Sequence, residues 1–239
     1  MGKLVGISMI GIDEKTDLDE LEKLQAMDER VEFGVIVSQN WAENGNRYAD
    51  PDFLNRLKGR KLNLSVHLCG AVARTALIND WQPVFDLLGD NLSLFRRAQL
   101  NIKESTPKHL KELVLDIPKP LQEVIIQQRA AYDCGLFYQW MLAHPDDRSL
   151  SVLLDGSGGK GMESEIIPLV GVPKVGYAGG INPDNVYGKT QKLCESVIVQ
   201  DFWVDMESGV RTDDWFDVDK AYAVILRVKA AESAVFTQK

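Results

Sequence analysis

The sequence predicts an α/β protein, a closed (β/α)8 TIM barrel formed as a single domain over residues 1–239. Three observations favour this fold. Eight short apolar runs follow one another along the chain, and most of them lead into a helical pattern, as in βαβ units that share a parallel sheet. Eight units of about 30 residues each fill the 239-residue length. No linker-like, low-complexity or highly charged segment divides the chain.

The predicted strands are short, and the fourth and fifth are less apolar than the others. They cover residues 4–10, 31–37, 62–68, 95–102, 123–127, 151–154, 174–178 and 202–206. Strict alternation of strands and helices gives either a closed barrel or an open doubly wound sheet. The count of eight favours the barrel, whose typical length is about 250 residues.

Helical patterns stand out in four of the intervening segments. Residues 17–27 carry leucines at intervals of three, with Asp17 as a candidate N-cap. The other three patterns cover residues 106–113, 135–142 and 217–229, and the last has the clearest apolar stripe. These helices are expected to pack around the outside of the barrel.

The charge of the chain argues against one class of function, nucleic-acid binding. The net charge of −8 and the isoelectric point of about 5.0 argue against a nucleic-acid surface, which needs clustered positive charge. A small anion is still compatible with an acidic chain, because one nest of backbone N–H groups can bind it. We therefore expect a small-molecule partner and no nucleic acid, with a monomer or a homodimer both open.

The cysteines and the apolar runs indicate a cytoplasmic protein. The three cysteines are an odd number with wide spacing, which is not a disulfide framework and fits a reducing compartment. No apolar run approaches the length of a transmembrane helix. The acidic stretch 13–22 is unlike a signal peptide, so no membrane partner is expected.

Two late loops combine features of an anion site. After the seventh strand, Gly179 and Gly180 leave room for backbone N–H groups to approach an anion, close to the start of a helix. After the eighth strand, Ser208 and Gly209 can offer a hydroxyl and further N–H groups. A tight turn explains either loop alone. Together they match the phosphate site that loops seven and eight form in this barrel class.

A carboxylate lies at the end of the sixth strand. Asp155 follows an apolar run, so it can face the mouth of the barrel and serve in proton transfer. The alternative is a capping or turn aspartate. The glycine-rich stretch 156–161 lacks the spacing of a Walker motif and suits a loop that lies over a substrate.

These loop segments together resemble phosphoribosylanthranilate isomerase, in the same order and with the same spacing. The resemblance is close over the last 90 residues and patchy before them. It implies a barrel of the ribulose-phosphate-binding type, an Amadori-type aldose–ketose isomerisation of a phosphorylated sugar, and no cofactor. The matching segments are Leu153-Leu154-Asp155 with Gly158, Gly159 and Gly161 downstream, 178–186 (Ala-Gly-Gly-Ile-Asn-Pro-Asp-Asn-Val), 204–210 (Val-Asp-Met-Glu-Ser-Gly-Val) and 46–52 (Asn-Arg-Tyr-Ala-Asp-Pro-Asp).

The resemblance also implies roles for individual residues. Asp155 falls on the family's general acid, and Arg47 falls on the arginine that holds the anthranilate carboxylate. A guanidinium fork suits a planar carboxylate, although a solvated loop arginine is the alternative. The residues on the phosphate-binding loops are Gly159, Gly179, Gly180, Ser208 and Gly209.

One departure from the family concerns the general base. The family has a cysteine at the end of the first strand, in an Ile-Cys-Gly sequence, whereas residues 6–11 here read Gly-Ile-Ser-Met-Ile-Gly. Ser8 or Met9 falls near the position of that cysteine. A serine hydroxyl needs a neighbouring base before it can act, so the source of the base stays open.

His67 offers a second source for the base. His67 and Cys69 are two apart on the third strand, so both point to the same side. If that side is the interior, His67 can act as a base near neutral pH, in an isomerase, epimerase or aldolase for another sugar phosphate. His67 can instead be a hydrogen-bonded core histidine. A further alternative for the whole chain is a binding protein without activity.

The run 66–68 is also similar to ribulose-phosphate 3-epimerase, in which this histidine ligates a metal. That family has a further histidine on the second strand. Here the second strand ends Val35-Ile36-Val37-Ser38-Gln39, which lacks it, so no metal is predicted.

Overall fold

The computed structural model describes residues 3–40, 46–102, 116–128, 149–157, 161–163, 165, 172–196 and 200–237. Eight parallel strands follow chain order around a closed barrel, and the first pairs with the last. They are β1 (Lys3–Ile10), β2 (Val31–Val37), β3 (Leu64–Cys69), β4 (Arg97–Asn101), β5 (Glu123–Gln128), β6 (Leu150–Asp155), β7 (Lys174–Ala178) and β8 (Asp201–Met206).

The predicted (β/α)8 barrel is therefore confirmed, and all eight predicted strands are present. Their ends agree with the predicted ones to within two residues. The fourth and fifth strands, which are the least apolar, are fixed by pairing with their neighbours on both sides.

Six helices belong to the described residues: α1 (Leu18–Met27), α2 (Pro51–Arg56), α3 (Ala71–Leu77), α4 (Gln82–Leu88), α5 (Pro183–Ser196) and α6 (Val218–Thr237). Asp17 caps α1 by accepting hydrogen bonds from the N–H groups of Asp19 and Glu20, as predicted, and α6 runs further than the predicted helix 217–229. The predicted helices 106–113 and 135–142 lie outside the described residues. Among the helices that are described, none is long and apolar enough to span a membrane.

The main apolar core lies between the barrel and its helices. Side chains that point outward from the strands, such as Phe33, Val66 and Phe202, are fully buried there. The Phe33 ring meets Phe216 edge to face at 6.2 Å between centroids, and Phe202 meets Tyr177 in the same way. Strand residues alternate between this core and the barrel interior.

The interior of the barrel is layered. At the N-terminal ends of the strands lies an ionic layer, which consists of Glu32, Arg97, Glu123 and Lys174. Arg97 contacts Glu32 at 3.3 Å and Glu123 at 3.1 Å, and Lys174 Nζ lies 2.7 Å from Glu123. Next comes a small apolar cluster of Ile125, Leu153 and Trp203. The Arg97 guanidinium lies 4.7 Å from the centre of the Trp203 ring. These two layers fill the lower barrel, so any ligand must enter from the opposite end.

Candidate functional site

A cavity of about 770 Å³ opens at the C-terminal ends of the strands. This is the end at which barrels of this class bind their ligands. The last inward-facing residue of every strand lines it: Ile10, Ile36, Cys69, Asn101, Gln127, Asp155, Ala178 and Asp205. The size suits a small organic ligand.

The loops after β6, β7 and β8 meet at one edge of this cavity. Gly161, Gly180 and Ser208 line it together. A side chain on Gly161 would collide with the Ser208 hydroxyl, and one on Gly209 would collide with the Ile181 carbonyl. The loops are therefore packed as closely as glycine allows, and the predicted residues Gly179, Gly180, Ser208 and Gly209 come together. Gly159 lies outside the described residues.

Backbone conformation explains the two consecutive glycines after β7. Gly179 has a φ of 109° and Gly180 a φ of 63°, both in the region that other L-residues avoid. The Asn182 side chain then accepts hydrogen bonds from the N–H groups of Asp184 and Asn185, which caps the start of α5. A short 3-10 helix, Ser208–Val210, begins in the loop after β8. The start of a helix is a common binding place for a phosphate, because its first N–H groups have no partner within the helix.

Asp155 is buried at the floor of the cavity and is held by three donors. Gln127 Nε2 donates to Oδ2 at 2.7 Å. The backbone N–H and the hydroxyl of Ser157 donate to Oδ1 at 3.0 and 2.7 Å. This network fixes the carboxylate at the mouth of the barrel, on the inner side, where the sequence placed it. The supporting residues Gln127 and Ser157 were not foreseen.

Asp205, at the end of β8, is a second buried carboxyl of the cavity. Burial raises its pKa well above the usual range, and the nearby charge of Asp155 raises it further. Asp155 and Asp205 line the same cavity. Sequence analysis did not single out Asp205. The signal was available, because Asp155 and Asp205 are both the last inward residue of a strand and fall two strands apart.

His67 lines the cavity one layer deeper, on β3, with Cys69 above it. Both side chains face the interior, as the spacing suggested. Burial and the positive charge of Arg97 lower the pKa of His67 to about 3. Its Nε2 lies 3.4 Å from the Ser65 hydroxyl. The imidazole is therefore neutral near pH 7, but such a low pKa makes it a weak base.

The first strand does not bring a base to the cavity. Ser8 lies deep in the barrel and donates a hydrogen bond of 3.1 Å to Glu32, so it belongs with the ionic layer. Met9 is fully buried in the outer core. The residue of β1 that lines the cavity is Ile10, directly before Gly11. The aliphatic Ile10 thus occupies the position on the first strand from which a side chain reaches the site.

Arg47 also lines the cavity, but its guanidinium is already paired. Nη1 lies 2.8 Å from Glu207 and Nη2 lies 2.7 Å from Asp214. Both carboxylates are more than 150 residues away along the chain, so sequence analysis had no signal for them. Arg74, on α3, is a second arginine at the cavity wall. Over the described residues it makes no ion pair.

Metal binding finds no support in the described residues, since nowhere among them do three His, Cys, Asp or Glu side chains form a cluster that could hold an ion. The polar groups of the cavity are carboxyls, amides, hydroxyls and guanidinium groups, with the His67 imidazole and the Cys69 thiol. These groups suit an oxygen-rich organic ligand, and the paired carboxyls suit proton transfer.

No protein-family model matches the chain, and no curated protein matches it either. Solved structures do match the chain. N-(5'-phosphoribosyl)anthranilate isomerase from Pyrococcus furiosus is 16% identical, with a TM-score of 0.51, and the match covers 95% of this chain and 99% of that protein. TrpF from Jonesia denitrificans is also 16% identical, with a TM-score of 0.60, and the match covers 95% of this chain and 98% of that protein. The barrel of this chain is thus the one found in the family to which its loop motifs point.

Proposed function

We propose that this chain is an isomerase for a phosphorylated sugar, of the phosphoribosylanthranilate isomerase type. The ligand lies across the C-terminal mouth of the barrel. Its phosphate binds the loops after β7 and β8, and its sugar lies over Asp155 and Asp205. The loops serve as an anchor outside the chemistry, so binding energy from the phosphate positions the sugar.

The observation that carries the proposal is the pair of buried carboxyls. An Amadori-type isomerisation needs an acid that protonates the ring oxygen and a base that removes the proton from C2. Two carboxyls on the wall of one cavity supply both groups when one is protonated and the other ionised. We assign the acid to Asp155, as the resemblance implies, and the base to Asp205. A raised pKa suits this role, because it makes the ionised carboxylate a stronger proton acceptor near neutral pH.

The two carboxyls account for the proton transfers of the proposed isomerisation. The cycle begins with Asp155 protonated and Asp205 ionised. Asp155 protonates the ring oxygen and the ring opens, and Asp205 takes the proton from C2. The enol then becomes the ketose as its C2 hydroxyl loses a proton and C1 gains one, so the two carboxyls hold the same number of protons before and after the reaction. His67 contributes a neutral wall to the site, because its pKa of about 3 lies far from the working pH.

The test is turnover of phosphoribosylanthranilate by the wild-type chain and by Asp155→Asn and Asp205→Asn. Each variant should lose turnover by about 10²–10⁴-fold, the usual contribution of a general acid or base, and should still bind ribose 5-phosphate. Asp201→Asn is the matched control, because Asp201 is an exposed residue at the other end of β8 and should keep full activity.

Two results would contradict the proposal. Full turnover by Asp205→Asn would remove Asp205 from the base role. Binding of ribose 5-phosphate without any turnover in the wild-type chain would instead support a binding protein on the isomerase fold.

A further inference from the structure

The two arginines of the cavity differ in their partners. Arg47 makes short ion pairs with Glu207 and with Asp214. Arg74 has an exposed side chain at the cavity wall and no ion pair or side-chain hydrogen bond over the residues that the structure describes. An incoming carboxylate therefore has to compete with two carboxylates for Arg47, whereas at Arg74 it competes with none from the described part of the chain.

Their places around the barrel differ as well. The strands follow chain order in a ring of eight, so β3 lies four strands from β7 and faces it across the mouth. Arg74 is on α3, which directly follows β3. Arg47 follows β2, but its guanidinium reaches toward Glu207 in the loop after β8. A ligand anchored by its phosphate at the loops after β7 and β8 thus points its far end toward Arg74.

We infer that Arg74, and not Arg47, is the side chain that recognises an anionic group at the end of the substrate remote from the phosphate. The inference rests on the proposed function, because it takes the phosphate to lie at the loops after β7 and β8. Arg47 instead holds the loop after β8 and the strand pair Arg211–Thr212 and Trp215–Phe216 together through its two carboxylate partners. Asn101, which ends β4 beside β3, lines the same cavity, and its amide forms hydrogen bonds with Cys69 and Gln99.

The chemistry of this recognition is a charge-assisted hydrogen bond. A guanidinium with no protein partner binds a carboxylate without first breaking an ion pair. An anionic far end is therefore directed to the β3 side, where Arg74 makes no ion pair with any described residue.

The test uses two stable probes that differ in one carboxylate. Reductive amination of ribose 5-phosphate with aniline gives a probe with a neutral ring, and amination with 2-aminobenzoate gives the probe with the carboxylate. Calorimetry measures the dissociation constants of both probes and of ribose 5-phosphate. The wild-type chain should prefer the carboxylate probe by about tenfold or more, the value of one charge-assisted hydrogen bond.

Arg74→Gln should abolish this preference by weakening only the carboxylate probe. Arg74→Lys should keep part of it, because the charge remains. Arg47→Gln should leave the preference for the carboxylate in place. Thermal unfolding of Arg74→Gln should match that of the wild-type chain, since no described partner is lost.

The outcomes separate this inference from the proposed function. If Arg47→Gln abolishes the preference, or if Arg74→Gln keeps it, Arg74 is not the recognition residue. A wild-type chain that binds ribose 5-phosphate but does not distinguish the probes overturns the inference and leaves the proposed function standing. Failure of all three ligands to bind overturns the proposed function itself.

Discussion

Replacement of His67 by glutamine should make the protein less sensitive to acid. Glutamine keeps a polar group beside the Ser65 hydroxyl but cannot take up a proton near neutral or acidic pH. In the folded chain, burial and the charge of Arg97 lower the pKa of His67 to about 3. In the unfolded chain the imidazole regains its ordinary pKa of about 6.5. Between these two pKa values, the imidazole therefore binds a proton in the unfolded chain and not in the folded chain.

The sign and the size of the effect follow from proton linkage. Because the folded pKa is depressed, the unfolded chain gains protons as the pH falls below about 6.5, and folding stability decreases until the pH reaches the folded pKa. With pKa values of about 3 and 6.5, the wild-type chain should lose roughly 2–3 kcal/mol of unfolding free energy through His67 between pH 7 and pH 4.5.

Urea denaturation of the two proteins at both pH values measures this difference. All other titrating groups are common to the wild-type chain and His67→Gln, so their contributions cancel in the comparison. The wild-type chain should lose roughly 2–3 kcal/mol more than the variant. Equal losses would show that the imidazole is not held neutral in the barrel, and His67 would return as a candidate base.

Three further substitutions test other parts of the site and fold. Asp205→Asn should raise the melting temperature more at pH 7 than at pH 4, because the raised folded pKa of Asp205 costs stability as the pH rises; equal shifts at both pH values would contradict this. Gly209→Ala should push the last two loops apart and weaken ribose 5-phosphate binding about tenfold, which equals 1.4 kcal/mol; unchanged affinity by calorimetry would remove Gly209 from the anchor. Asp50→Ala should cost about 1 kcal/mol in urea denaturation, since Asp50 accepts a 2.6 Å hydrogen bond from Phe53 N–H at the start of α2; a loss of only a few tenths would show that the cap is dispensable.

Strands were predictable because their signal is local. Each predicted strand is an apolar run, and the alternation of such runs with helices specifies the barrel. The short helices α2, α3 and α4 were not delimited in advance, because six or seven residues carry fewer than two full turns of the pattern. The loop glycines of the candidate anchor were found because their sequence alone marks them as conformationally special.

The electrostatics of the site could not be predicted in the same way. The ion pairs of Arg47 join residues that are more than 150 positions apart, and no spacing rule connects them. The ionic layer is hidden for another reason: Glu32, Arg97 and Glu123 resemble surface residues in the sequence, and only closure of the barrel turns them inward. The register of the first strand decides that Ile10, rather than Ser8, reaches the cavity.

The ionic layer has a consequence for the opposite end of the barrel. Arg97 lies below the apolar cluster, yet its positive charge lowers the pKa of His67 and opposes the rise in the pKa of Asp205. The apolar cluster of Ile125, Leu153 and Trp203 screens this charge less than water would. The closed end of the barrel thus contributes to the pKa values at the open end, and substitutions far from any ligand can change the chemistry without touching it.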